Sequence, residues 1–426
     1  MRALLFLPLT GCILSVRPLA FDFSKEEPSE ALELTVEALE QSYAFTDWKA
    51  LDWSQVRDRL AEAEDEDQAI RMLVEAIPDG HVLLEHDEDK GCPQAEGASG
   101  LLFSDTDDGE IVVALSQVEG VQAGDVLRTW NGLAPEAALD QQPLYCFPVG
   151  LATHERRRSG RVRLLGRGEP GATLDLVLER GGEELDLSVT LEEDAGDLRE
   201  QLGLTLPTER ISARMLGSDI GYLAVGWEET AISDAAVRRE LRALWGEGAR
   251  KLVLDLRNND GGTDQTAANI AGVFTDRAWF YETITMYDRR TEEQAVISEV
   301  WVKPQELFWD LPTVVLINGN TVSSGEGMAM MLARFEGLTV MGFEGTAASF
   351  GSSGSTAKLP GGWTFTWPAG RSLDEEGQIQ LDSDHSLAGG VLPTHRIPWT
   401  VEHRVGWAED PVGYEIELAV ELLEGL

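Results

Sequence analysis

Apolar residues recur at helical spacing through PSEALELTVEALEQSYAF, residues 28–45, and again through DWSQVRDRLAEAEDEDQAIRMLVEAI, residues 52–77. Pro28-Ser29 and Asp52-Trp53-Ser54 are the helix starts this pattern predicts. The period changes at Pro78-Asp79-Gly80-His81, and VLLEH reads as a strand. EDKGCPQAEG, residues 88–97, is a linker by composition. Short strands follow, with IVVALSQV among them and a hairpin around Gly181-Gly182. The basic stretch LATHERRRSGRVRLLGRG reads as an exposed loop and strand in an otherwise acidic chain.

From about Ile211 strands and helices alternate. IGYLAVGW is a strand, DAAVRRELRALWGEG an amphipathic helix closed by glycine, and KLVLDLR a buried strand running into NNDGG. TDQTAANIAGVF is the next helix. That order predicts an α/β core. Within it, the β-branched run Thr313 to Ile317 is broken by Asn318-Gly319-Asn320, then TVSSGEG leads into the helix MAMMLARF. A small residue between a buried strand and a helix start can present a hydroxyl to backbone amides and to the positive end of the helix dipole. The plain alternative is that Ser323 and Ser324 only cap that helix.

The chain has 426 residues, 43% of them hydrophobic, enough for two or three domains. A net charge of −41 opposes nucleic acid as a partner. The start, MRALLFLPLTGC, is similar to a bacterial signal peptide, and Leu9 to Cys12 reads as a lipoprotein signal with Cys12 as the lipid anchor. Plain secretion with a break near Ala20 is the alternative. Cys92 and Cys146 lie in loop-like stretches and are expected to pair in an exported chain. No Cys/His cluster has metal-ligand spacing, so no metal or cofactor is expected.

LVLDLRNNDGG, residues 252–262, and VVLINGNTVSSGEG, residues 314–327, in that order, resemble the C-terminal processing and tricorn-type serine peptidases. That family includes the interphotoreceptor retinoid-binding protein repeats. DGHV at residues 79–82 supports the resemblance, as do GLLF and AGDVLRTWNG, which are similar to PDZ signatures. The resemblance implies an α/β core of the crotonase/Clp protease-like spiral type with an N-terminal helical subdomain and a β-rich PDZ-like domain. The boundaries are residues 1–20 for the signal, 21–95 for the helical lead-in, 96–195 for the PDZ-like domain and 196–426 for the core.

The resemblance also implies roles. Ser323 is the nucleophile, the Ser324 amide and an amide of the Gly261-Gly262 turn form the oxyanion hole, and Glu326 supports them. In one branch of the family a lysine base follows the serine. Here ASFGSSG, residues 348–354, places serine at that position, and Lys358 lies in a strand. The tricorn-like branch uses a histidine, which His81 matches. The family's glutamate before a glycine–valine turn is Leu387 here, leaving Asp384, or Asp382, to orient the histidine. The expected activity is cleavage of protein or peptide chains in the bacterial envelope or outside the cell. The PDZ-like domain would take a peptide by its C-terminus. Two alternatives stay open: a catalytically silent peptide-binding envelope protein of the same fold, and a crotonase-like acyl-CoA enzyme.

Overall fold

A computed structural model describes residues 16–88, 90–193, 211–226, 234–352 and 354–425. The signal region up to residue 15, Cys12 included, lies outside the described residues.

The lead-in begins with helix α1 (Pro28–Ser42), whose first residue is the proline. The long helical stretch that follows is two helices, α2 (Trp53–Leu60) and α3 (Glu66–Ala76). Asp52 caps the first by accepting the Ser54 and Gln55 amides, and Asp65 caps the second by accepting the Gln68 amide. Their apolar faces, with Leu39, Val56, Ile70 and Leu73, pack on Phe365 and Trp367 from the C-terminal half of the chain. Strand Leu83–His86 pairs antiparallel with Trp363–Trp367, in a sheet that also holds Ser355–Lys358 and Ala20–Asp22. The lead-in therefore shares a core with the C-terminal half of the chain, and this brings the DGHV turn to it.

The β-rich segment is a sheet in the order Leu101–Asp105, Ile111–Ser116, Val126–Trp130, Thr173–Arg180, Glu183–Thr190. Arg180 pairs with Glu183 across Gly181-Gly182, both at positive φ, which gives the expected two-residue hairpin. A short helix, α4 (Pro135–Leu139), follows the third strand. The basic stretch corrects the expectation of loop and strand. It is helix α5 (His154–Leu164), capped by Thr153, with Val162 and Leu164 buried. Its apolar positions are too few to reveal the helical period among the arginines, of which Arg158 bonds Glu136 and Asp105. Cys92 and Cys146 form the expected disulfide.

The core sheet runs Ile211–Met215, Ile220–Val225, Lys251–Asp255, Thr313–Leu316, Leu338–Gly342, His395–Arg396. It is parallel after its first pair. Side chains alternate across it. Leu252, Leu254 and Val315 face helices α6 (Asp234–Glu247), α7 (Asp264–Ala271) and α8 (Ser324–Leu332). Val253, Val314 and Leu316 face α10 (Tyr414–Glu424). Helix α9 (Val401–Glu409) packs Ala408 against Leu102 and Ala114 of the β-rich sheet. At the end of strand Lys251–Asp255, buried Arg257 bonds both Asp255 oxygens and Glu415 of α10. This fixes the point from which the NNDGG loop departs.

Candidate active site

Ser323 stands immediately before α8, at φ 58° and ψ −132°. A serine at positive φ is strained by about 1–3 kcal/mol and persists only where its surroundings hold it. Of the eight non-glycine residues at positive φ in the described chain, Asn258, Ser323, Ala348, Leu381 and Leu387 lie on the loops around this point. The strain is thus concentrated at one place. Ser323 makes no capping bond with its side chain, so the plain capping alternative finds no support. Its amide donates to the Ser349 carbonyl at 3.0 Å.

Gly261 lies against the serine, with φ +84°. A Cβ there would come within 2.6 Å of the Ser323 Cβ and 2.9 Å of the Ser324 nitrogen, so only glycine fits. The Gly261 amide donates to the Asn259 Oδ1 at 2.8 Å and is thereby occupied. The Gly262 amide donates to no acceptor among the described residues. The Ser324 amide donates to no acceptor among the described residues. The Ser324 hydroxyl donates to the Asp264 Oδ1 at 2.7 Å.

Glu326, in the first turn of α8, is fully buried. Its carboxylate accepts the Thr346 hydroxyl, the Ala348 amide and the Ser349 amide. Burial pushes it up to about 7, against the pull of those three donors. Its role is to hold the 346–349 loop. That loop in turn holds both halves of the site. The Ser349 hydroxyl accepts the Gly80 amide at 2.6 Å while its carbonyl holds Ser323. His81, next to Gly80, thus lies on a segment tied to the same residue as the candidate nucleophile.

His81 is 7% exposed, and its Nδ1 is buried without a partner. Burial lowers its pKa, Lys49 adds to this, and Asp79 opposes it, so the ring is neutral near pH 7. Asp79 shapes the turn by accepting the His81 amide and the Tyr43 hydroxyl. Nearby, Lys49 is 5% exposed and donates to the Ser383 carbonyl and hydroxyl.

Asp384, expected as the orienting acid, is taken up by its own turn. Its Oδ1 accepts the Ser386 amide at 2.7 Å and the Ser386 hydroxyl at 2.6 Å. Asp382 occupies the buried position instead. Its Oδ1 accepts the Phe350 and Gly351 amides, and its Oδ2 is buried without a partner. Burial pushes Asp382 well up, Asp79 adds to it, and Lys49 opposes. Lys358 is exposed at the end of its strand. Among the described residues no cluster of His, Cys, Asp or Glu could hold a metal ion. No helix there is long and apolar enough to cross a membrane.

Residues 219–395, which contain Ser323, Ser324, Glu326 and the glycine turn, match the model of peptidase family S41. This segment resembles an S41 peptidase domain. The chain is similar to the carboxy-terminal processing protease CtpA of Bacillus subtilis, with 28% identity over 203 residues, 45% of this chain and 39% of that protein. It is also similar to the carboxyl-terminal-processing protease of Synechocystis, with 28% identity over 176 residues, 41% of this chain and 38% of that protein. The matches thus span about two fifths of those relatives' length.

The fold beyond the S41 core has parallels too. The crystal structure of mature CPAF covers 94% of this chain and 98% of its own, at TM-score 0.65 and 14% identity. A putative peptidase from Parabacteroides merdae covers 94% and 97%, at TM-score 0.52 and 17% identity. At such identities these likenesses show the fold alone. His81 lies outside the matched S41 segment. Its signal in the sequence was DGHV. Ser349, Lys49 and Asp79 carried none that distinguishes them from ordinary polar residues.

Proposed function

We propose that the chain is an exported serine peptidase acting on protein or peptide chains through an acyl-enzyme. The carrying observation is Ser349, which bonds the amide of Ser323 and the amide beside His81. Ser323 Oγ attacks the substrate carbonyl while neutral His81 takes its proton. The oxyanion that forms is met by the Ser324 and Gly262 amides at the head of α8, where the helix dipole favours negative charge. The imidazolium then gives the proton to the leaving amine, and water, activated by the same ring, releases the acyl group. Asp382 orients the ring. In support, both its Oδ2 and the His81 Nδ1 are buried without partners, and Lys49 and Asp79 act on both groups.

Export with Cys12 as lipid anchor fits the fold's start. Leu19 is 5% exposed and its amide bonds Ser355, so a break at Ala20 would remove packed residues. The silent peptide-binding reading is favoured by Leu387 at the glutamate position alone, and the buried Asp382 answers that observation. Turnover of an internally quenched peptide by the wild type, lost in both Ser323→Ala and His81→Ala, tests the proposal. Equal turnover in all three chains would refute it.

A further inference from the structure

The DGHV turn has one more attachment, to the chain between the disulfide and α5. Residues 147–150 run antiparallel to the start of strand Leu83–His86, with Val149 bridged to Leu83. The Leu84 amide donates to the Pro148 carbonyl at 2.8 Å, and the Gly150 amide donates to the Val82 carbonyl at 2.9 Å. Val82 follows His81 directly. Gly150 lies against the turn itself. A Cβ there would collide with the Asp79 carbonyl oxygen and come within 2.6 Å of that of Ile77. Both atoms are backbone, so only glycine lets this segment seat. It begins at Cys146, which the disulfide joins to Cys92, 54 residues earlier. Helix α3, which leads into the turn, holds the flanks of both cysteines. Arg71 donates to the Lys90 and Gly91 carbonyls, and Gln68 donates to the Tyr145 hydroxyl at 3.1 Å. The apolar support is small: buried Leu144, Leu151 and Leu164, with Ala95, Phe147 and Val149 packed against them. The covalent bond is therefore the firm end of the segment.

Resting on the peptidase reading above, we propose that residues 147–150 are a strap that positions His81, and that the Cys92–Cys146 disulfide makes this positioning redox-dependent. A dithiol reductant opens the bond. One of its thiolates attacks the Cys146 sulfur, the S–S bond breaks and Cys92 leaves as a thiolate. The reductant's second thiol then displaces Cys146 and the reductant departs as its own disulfide. Two electrons have passed to the two cysteines, and each takes up a proton. Cys92 is 8% exposed and Cys146 half-buried, so a small dithiol approaches from the Cys146 side. Once the strap is free, its two bonds to Val82 and Leu84 compete with water, and His81 loses the orientation that proton transfer needs. The Gly80–Ser349 and Tyr43–Asp79 bonds remain, so the fold persists. Thiols stay reduced in a cytosol and pair in an oxidising compartment. The chain is thus silent before export and becomes active when the bond closes outside.

The test compares oxidised wild type, wild type reduced with dithiothreitol, the double variant Cys92→Ser with Cys146→Ser, and Gly150→Ala. It reads kcat and KM on a peptide substrate and the rate of fluorophosphonate labelling at Ser323, with melting temperature as the folding control. Reduction and both variants should each lower kcat about tenfold or more with KM little changed. Reoxidation should restore the reduced wild type, and dithiothreitol should not change the double variant. Reduction should slow labelling in the wild type and not slow it further in His81→Ala, because the strap acts through that ring. If Gly150→Ala fails to fold, the reduced wild type decides. Unchanged kcat on reduction, equal slowing of labelling in wild type and His81→Ala, or unfolding of the reduced chain at assay temperature overturns the redox strap alone. An oxidised wild type that neither labels at Ser323 nor turns over overturns the peptidase reading, and the strap's role with it.

Discussion

The Ser349 hydroxyl accepts the Gly80 amide at 2.6 Å, joining a lead-in turn to a loop 269 residues further along the chain. Its carbonyl holds Ser323 at the same time. Replacing Ser349 with alanine removes the side-chain acceptor and leaves the Gly80 amide buried without one, a cost of about 1–3 kcal/mol. The Ser323 contact is through backbone and survives. We expect Ser349→Ala to lower kcat at least tenfold with little change in KM, because His81 loses its fixed position. Steady-state kinetics and a denaturant midpoint check both parts.

The two aspartates near the glycine turn should separate cleanly. Asp384→Asn disturbs a surface turn and should leave kcat within about threefold of wild type. Asp382→Asn changes the buried carboxyl group proposed to orient His81 and should lower kcat by two to four orders of magnitude. Comparable activity of the two variants would show that Asp382 does not orient His81.

Much of the core was legible because parallel buried strands read as apolar runs and their helices carry a clear period. Lys251–Asp255, Thr313–Leu316 and α6 are examples. Ser323 was legible from its place between strand and helix. Helix α5 was not, because its arginines mask the period. Asp382 and Asp384 are two residues apart, so a strand-like alternation could not separate them. The structure shows a turn at Asp384 and a buried end at Asp382.

The pH dependence follows from the buried histidine. Burial and Lys49 both disfavour its charged form, so kcat/KM should rise with pH through an apparent value below the ordinary ~6.5 of histidine. His81 is pushed down and Asp382 up, so this limb belongs to the cluster rather than to one residue. Lys49→Met removes a cation that opposes imidazolium formation and should move the limb to higher pH. A limb that moves down in that variant contradicts the assignment.

Arg257 tests the scaffold apart from the chemistry. It is buried and paired with Asp255 and Glu415. Arg257→Met strands two buried acids and should destabilise the chain by about 3–5 kcal/mol. Urea denaturation measures this directly.

The central claim is that Ser323 is a nucleophile activated by His81. A fluorophosphonate probe followed by peptide mapping tests it most directly. The account predicts stoichiometric labelling at Ser323 in the wild type, and labelling slowed by orders of magnitude in folded His81→Ala. Absence of label at Ser323 in the folded wild type, or labelling as fast in His81→Ala as in the wild type, would contradict it.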